Sequence, residues 1–239
     1  DLMNKPVIND MVVRFANVNG TGSASANNLF AKAVFRMGIP VSPKNIFPSN
    51  IQGLPTWFEI RISDKGYLGR REGIDLLVAV NPQSFAKDIA SVKSGGYLIY
   101  DSTKKLHPDQ VREDIQYIGI PMMALCMEHY QNPRQQQLFK NIVYVGALAT
   151  LLDMDIQVIE EMIHEQFAKK PKLIPANIQA LELGINYVKE NFDYPLPYRL
   201  ERRDLVGDHI LIEGNEATAL GCVYGGATVA AWYPITPST

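Results

Sequence analysis

An open, mostly parallel α/β sheet with helices on both faces is the fold class this chain of 239 residues predicts. Three observations carry that reading. A strand–glycine turn–helix unit opens the chain, short wholly apolar runs recur with a helical segment between them, and one longer segment alternates polar and apolar residues with period two.

The elements follow in order. Met11 to Val18 reads as a buried strand, Asn19-Gly20-Thr21-Gly22 as a tight turn, and Ala24 to Met37 as a helix with Leu29, Ala33 and Phe35 on its apolar side. In Thr56 to Ser63, Trp57, Glu59 and Arg61 alternate with Phe58, Ile60 and Ile62, which predicts a half-buried strand. Asp75 to Val80 and Tyr97 to Tyr100 are apolar strands around a helix from about Ser84 to Val92. From Arg134 onward the pattern turns helical. Leu138, Ile142 and Val145 mark one helix, Ile156, Ile159, Ile163 and Phe167 a second capped by Asp155, and Ile178, Leu181, Ile185, Val188 and Phe192 a third behind Asn177. Tyr194 to Asp204 combines two prolines with a run of charge, the composition of an exposed connector. A final strand is expected at His209 to Ile212, leading into the helix-opening Gly214-Asn215-Glu216-Ala217.

Composition excludes several functions. With 46% hydrophobic and 20% charged residues and a net charge of -2, neither nucleic acid nor an anionic membrane is expected as partner. The basic pairs Arg70-Arg71, Lys104-Lys105, Lys169-Lys170 and Arg202-Arg203 read as solvated faces. Cys126 and Cys222 are far apart in apolar surroundings, as buried thiols of a cytoplasmic protein are, and two thiols cannot hold an iron–sulfur cluster alone. The four histidines are unclustered, and no metal site is expected. Cys126 and His129 are taken to lie on an extended segment, pointing to opposite faces. The apolar run Ile142 to Leu152 is too short for a bilayer. No signal-peptide pattern opens the chain, and because it starts at Asp1 some preceding residues are expected.

Two segments invite chemistry. The turn Asn17 to Gly22 opens a helix, so its N–H groups and the helix dipole suit a phosphate or pyrophosphate. Ser25 holds the third glycine position of a dinucleotide fingerprint, and a tight structural turn stays open as the alternative. The polar loop Ser49 to Pro55 could cross the same mouth, with Asn50 and Gly53 as contacts, and a plain connecting turn stays open as the alternative. At the other end Pro234 and Pro237 hold Tyr233 and Thr236 extended, which places a hydroxyl on a stiff loop after a stretch, Ala217 onward, without a single charge.

Together these residues resemble the 2-oxoacid:ferredoxin oxidoreductase family, in particular an α subunit with a γ-type domain fused at its N-terminus. The γ-type pattern G-x-G-G-Q-G is matched at Gly20 and Gly22, and R-G-x-x-x-x-x-x-x-R-x-S at Gly53, Arg61 and Ser63. Asn17, Asn19 and Gln52 depart from it. The GNEA-x-A-x-G segment followed by YPITPS is similar to the start of a thiamine diphosphate pyrimidine-type domain. The resemblance implies a γ-type domain over 1–193, a linker over 194–208 and the first strand–helix–strand of the pyrimidine-type domain over 209–239.

It further implies oxidative decarboxylation of a 2-oxoacid, 2-oxoglutarate being favoured, with coenzyme A to acyl-CoA, carbon dioxide and reduced ferredoxin. Thr236 would act as the catalytic residue, with Tyr233, Pro234 and Thr236 against the substrate. Asn19, Gly20, Thr21, Gly22, Asn50 and Gly53 would bind the cofactor. Thiamine diphosphate, Mg²⁺ and a four-iron four-sulfur cluster would sit mainly on a separate β subunit in an (αβ)2 assembly. From the residues alone, a free-standing nucleotide-binding α/β enzyme or a non-catalytic interaction module would also be compatible.

Overall fold

In the computed structural model, residues 5–48 and 54–233 are described. They fall into two compact units, residues 1–207 and 208–239.

The first unit is built on a six-stranded sheet. Its strands are β2 (Asp10–Ala16), β3 (Val41–Ile46), β4 (Trp57–Ser63), β5 (Ile74–Ala79), β6 (Val92–Asp101) and β7 (Gln116–Ile120), in the order β3-β4-β2-β5-β6-β7. β4 runs antiparallel to both its neighbours, β2 and β3, while β2, β5, β6 and β7 are mutually parallel. From β2 the chain passes through helix α1 (Ser23–Arg36) to one side, and from β5 through α2 (Phe85–Ser91) to the other. The order therefore reverses between β2 and β5, where the carboxyl ends of an open α/β sheet leave a crevice.

Side-chain alternation along β2 shows how both faces are covered. Val12 packs with Leu77, Leu98 and Ile89 of α2. On the opposite face Phe15 meets Phe30 of α1 edge-on at 5.6 Å and Tyr144 at 6.0 Å. Tyr144 belongs to α4 (Pro133–Leu151), which follows α3 (Met122–His129) and precedes α5 (Ile156–Gln166) and α6 (Ile174–Asn191). Asn132 and Asp155 cap α4 and α5 by accepting from Arg134 N and Gln157 N. Gly146 and Gly184 let α4 and α6 touch backbone to backbone: a Cβ at Gly184 would lie 1.9 Å from the Val143 carbonyl oxygen.

Four expectations about the first unit are corrected. The alternation in β4 is real, yet all seven residues are buried. On its polar side Trp57 Nε1 donates to Asp88 of α2 at 2.7 Å and Glu59 pairs with Arg14 and Arg70. Asn177 does not open α6, which starts at Ile174; its amide donates back to the Leu173 carbonyl at 2.8 Å. Cys126 and His129 lie on a helix, α3, rather than on an extended segment. The 194–204 stretch is not an exposed connector. It contributes β8 (Tyr198–Arg199), parallel to β1 (Val7–Ile8), and buries Leu196 and Leu200. Main-chain bonds from Arg203 N to Met37 O and from Leu205 N to Gly38 O tie its end to the α1–β3 corner.

The second unit contains α7 (Gly214–Tyr224), opened at GNEA as the sequence indicates, with Glu213 N donating to Glu216 Oε2 at 3.3 Å. The strand expected at 209–212 does not form. A strand needs a ladder partner for its N–H and C=O groups, and no strand pairing involves this unit's described residues.

Candidate functional site

At the carboxyl ends of the parallel strands opens a cleft of about 610 Å³. Val18 after β2, Val80 and Pro82 after β5, Tyr100 and Asp101 at the end of β6, Phe85 of α2, and Gln137 and Lys140 of α4 face it. The loop after β6 adds Thr103, Lys104 and Lys105.

This loop is held at its base. Asp101 Oδ1 accepts from Thr103 N at 3.1 Å and from the Thr103 hydroxyl at 2.6 Å, and Thr103 Oγ1 accepts from Ala124 N in the first turn of α3 at 3.1 Å. Lys140 stands 3.6 Å from the other Asp101 oxygen. Three lysines against one carboxylate leave the lining net positive, beside the aromatic rings of Tyr100 and Phe85. A cationic cleft with apolar, aromatic walls suits a phosphorylated, ring-bearing ligand. The sequence does not reveal that these residues meet at a cleft; Lys104 and Lys105 are exposed, as a solvated pair is, and also line it. The available signal was position, since both follow directly on an apolar parallel strand.

Beside the cleft lies the glycine turn. Gly20 and Gly22 adopt φ of 77° and 81°, the left-handed region that favours glycine, and Gly22 leads into α1. A Cβ at Gly22 would lie 2.5 Å from Leu138 Cδ1, whereas at Gly20 it would meet nothing within 4 Å. Asn19 and Gly20 are exposed and Thr21 and Gly22 half-buried. None of the four lines the cleft; its lining reaches only to Val18. Asn50, Gly53, Pro234 and Thr236 lie outside the described residues, and Tyr233 is exposed at the end of the second unit.

Arg61 and Ser63, on the interior strand β4, lie at the opposite end of the sheet. Their β2 partners are Val12 and Asp10, at the start of that strand, and Arg61 pairs with Asp10 at 2.7 Å. They brace the sheet there, far from the cleft. Burial, aided by the charge of Asp101, pushes the Cys126 thiol up to about 12, so it is an inert core group. Among the described residues no group of three or more His, Cys, Asp or Glu side chains is arranged for a metal ion.

Residues 12–187 match the family model described as pyruvate ferredoxin/flavodoxin oxidoreductase. The chain belongs to this family. It is 27% identical to a 2-oxoglutarate oxidoreductase subunit KorA of Mycobacterium tuberculosis, over 97% of this chain and 40% of that protein. A subunit alpha of 2-oxoacid:ferredoxin oxidoreductase 2 from Aeropyrum pernix is 24% identical, over 96% of this chain and 42% of the relative. Among solved structures, a 2-oxoglutarate:ferredoxin oxidoreductase from Magnetococcus marinus, with 2-oxoglutarate, coenzyme A and succinyl-CoA bound, superposes with a TM-score of 0.82. It is 26% identical, over 96% of this chain and 40% of that one. A keto/oxoacid ferredoxin oxidoreductase gamma subunit from Geobacter sulfurreducens, 20% identical with a TM-score of 0.60, shares the fold over 75% of this chain and 99% of its own. The present chain thus spans about two fifths of the length of its α-type relatives. Among the described residues no helix is long and apolar enough to cross a membrane.

Proposed function

We propose that this chain forms the γ-type domain and the opening of the pyrimidine-type domain of an α subunit in a 2-oxoacid:ferredoxin oxidoreductase, with 2-oxoglutarate as the favoured oxoacid. The reaction is the coenzyme A-dependent oxidative decarboxylation of that acid to acyl-CoA and carbon dioxide, its two electrons passing to ferredoxin. The observation that carries the reading is the lysine-lined cleft at the strand ends. Its dimensions and chemistry fit part of coenzyme A, an adenine nucleotide with three phosphates, and the relative from Magnetococcus marinus binds that molecule.

In this reading Lys104, Lys105 and Lys140 neutralise phosphate charge, and Tyr100 and Phe85 offer faces for a ring to stack on. Asp101 acts on the lysine loop, not on the ligand, because its oxygens are committed to Thr103 and Lys140. The turn Asn19 to Gly22, left-handed at Gly20 and Gly22, supplies a neighbouring phosphate contact at the start of α1, completed by Asn50 and Gly53. Tyr233, Pro234 and Thr236 meet the oxoacid, and the Thr236 hydroxyl orients its carboxylate or carbonyl from a loop stiffened by Pro234 and Pro237. Thiamine diphosphate supplies the carbanion chemistry in this enzyme class. With Mg²⁺ and the four-iron four-sulfur cluster it belongs to a β subunit, in an (αβ)2 assembly working in the cytoplasm.

The test is to purify the protein with its co-expressed β subunit and assay ferredoxin reduction with 2-oxoglutarate, pyruvate and a branched oxoacid, each with and without coenzyme A. Succinyl-CoA formed together with reduced ferredoxin, and only when 2-oxoglutarate and coenzyme A are both present, is the expected result. Coenzyme A-independent turnover, or NAD(P)-dependent turnover by this chain alone, would overturn the proposal.

A further inference from the structure

Beside the cleft a chain of buried polar groups runs through the apolar interior. Tyr144 of α4, with no exposed surface, donates its hydroxyl hydrogen to Asn27 Oδ1 on α1, also fully buried. Asn27 Nδ2 donates to Asn17 Oδ1 at 2.8 Å, and Asn17 Nδ2 to the Thr56 hydroxyl at 3.1 Å. Every amide has its two ends satisfied, so the orientation of each is determined by the next. Burial pushes the Tyr144 phenol well above its ordinary range, which keeps its proton in place.

The main chain of Asn17 is gripped as well. Its N–H donates to Thr56 O at 2.9 Å, and its carbonyl accepts from Asn81 Nδ2 at 2.8 Å. The residues next to these two asparagines, Val18, Val80 and Pro82, line the cleft. One turn before Tyr144 on α4 stands Lys140, also in the lining, and Asn141 Nδ2 donates to Thr21 O at 2.8 Å. The polar chain therefore couples the wall made by the β2 and β5 ends to the helix that carries a cleft lysine. A buried polar set of this kind adds little net stability over well-packed apolar groups, but it admits a single register.

We propose that Asn17, Asn27 and Tyr144 are positioning residues that set the distance between Lys140 and the opposite wall of the cleft, and through it the affinity for coenzyme A. Asn17 stands where the γ-type pattern has glycine, and its side chain turns inward, so the chain gains this link without obstructing the cleft. The inference rests on the reading of the cleft as a coenzyme A site.

The test measures KM for coenzyme A, KM for 2-oxoglutarate and kcat of the holoenzyme carrying Tyr144→Phe, with Asn17→Gly as a second variant should the first fail to assemble. Leu148→Ala, a cavity in the same helix outside the polar chain, is the stability control. Misplacing a binding group by a fraction of an ångström is expected to raise KM for coenzyme A about tenfold, with kcat and the oxoacid KM unchanged. An unchanged coenzyme A KM, or an equal rise in Leu148→Ala, would overturn the positioning role. Should Lys140→Ala leave that KM unchanged too, the cleft itself is the wrong site, which separates failure of the underlying reading from failure of the relay.

Discussion

At the scale of single residues, Glu59 shows how a strand that looks amphipathic can be buried on both sides. It is 4% exposed. Burial drives its carboxyl up, but the guanidinium groups of Arg70 and Arg14, at 2.9 and 2.6 Å, outweigh that and leave it below its ordinary value. A carboxylate depressed in the folded state stabilises the protein above its unfolded pKa, and that contribution is lost as pH falls through the folded value. Glu59→Gln should thus cost about 2 kcal/mol at pH 7 by leaving Arg14 half-buried and unpaired. Urea denaturation at pH 7 and pH 3 checks this, because the gap between variant and wild type should shrink at the lower pH. The alternation of charge and apolar residues was legible in the sequence. Which partners would neutralise the charge was not, since Arg14 and Arg70 come from a neighbouring strand and a loop.

At the scale of elements, the opening unit and the strands β2, β5 and β6 were readable because each carries a short buried apolar stretch, Met11 to Val13, Leu76 to Ala79, and Leu98 with Ile99. α3 was missed. It is short, and only Met122 and Cys126 of its eight residues are buried, so periodicity had little to register. The α4–α6 contact was equally hidden: Gly146 and Gly184 look like helix weakeners in isolation and become necessary only where two backbones meet. Gly184→Ala forces a methyl group against the Val143 carbonyl and should destabilise by about 3 kcal/mol, read as a fall in the midpoint of chemical unfolding without loss of helical circular dichroism in the native baseline. Asn177 shows the converse error. A residue that favours N-caps sits inside α6 because Pro175 starts the helix earlier, at a position that has no use for an N–H.

At the scale of the whole molecule, the family could be recognised from the glycine turn and the GNEA and YPITPS segments, whereas the cleft could not. Its lysines come from the loop after β6 and from α4, and only the sheet order brings them together over the β2–β5 reversal. The most direct measurement of the central claim, that this cleft binds coenzyme A, is the coenzyme A dependence of the holoenzyme with Lys104→Ala and Lys140→Ala. Removing two phosphate contacts is expected to raise KM for coenzyme A by about 100-fold while kcat and the KM for 2-oxoglutarate stay within about twofold of wild type. A coenzyme A KM equal to that of the wild type would contradict the account.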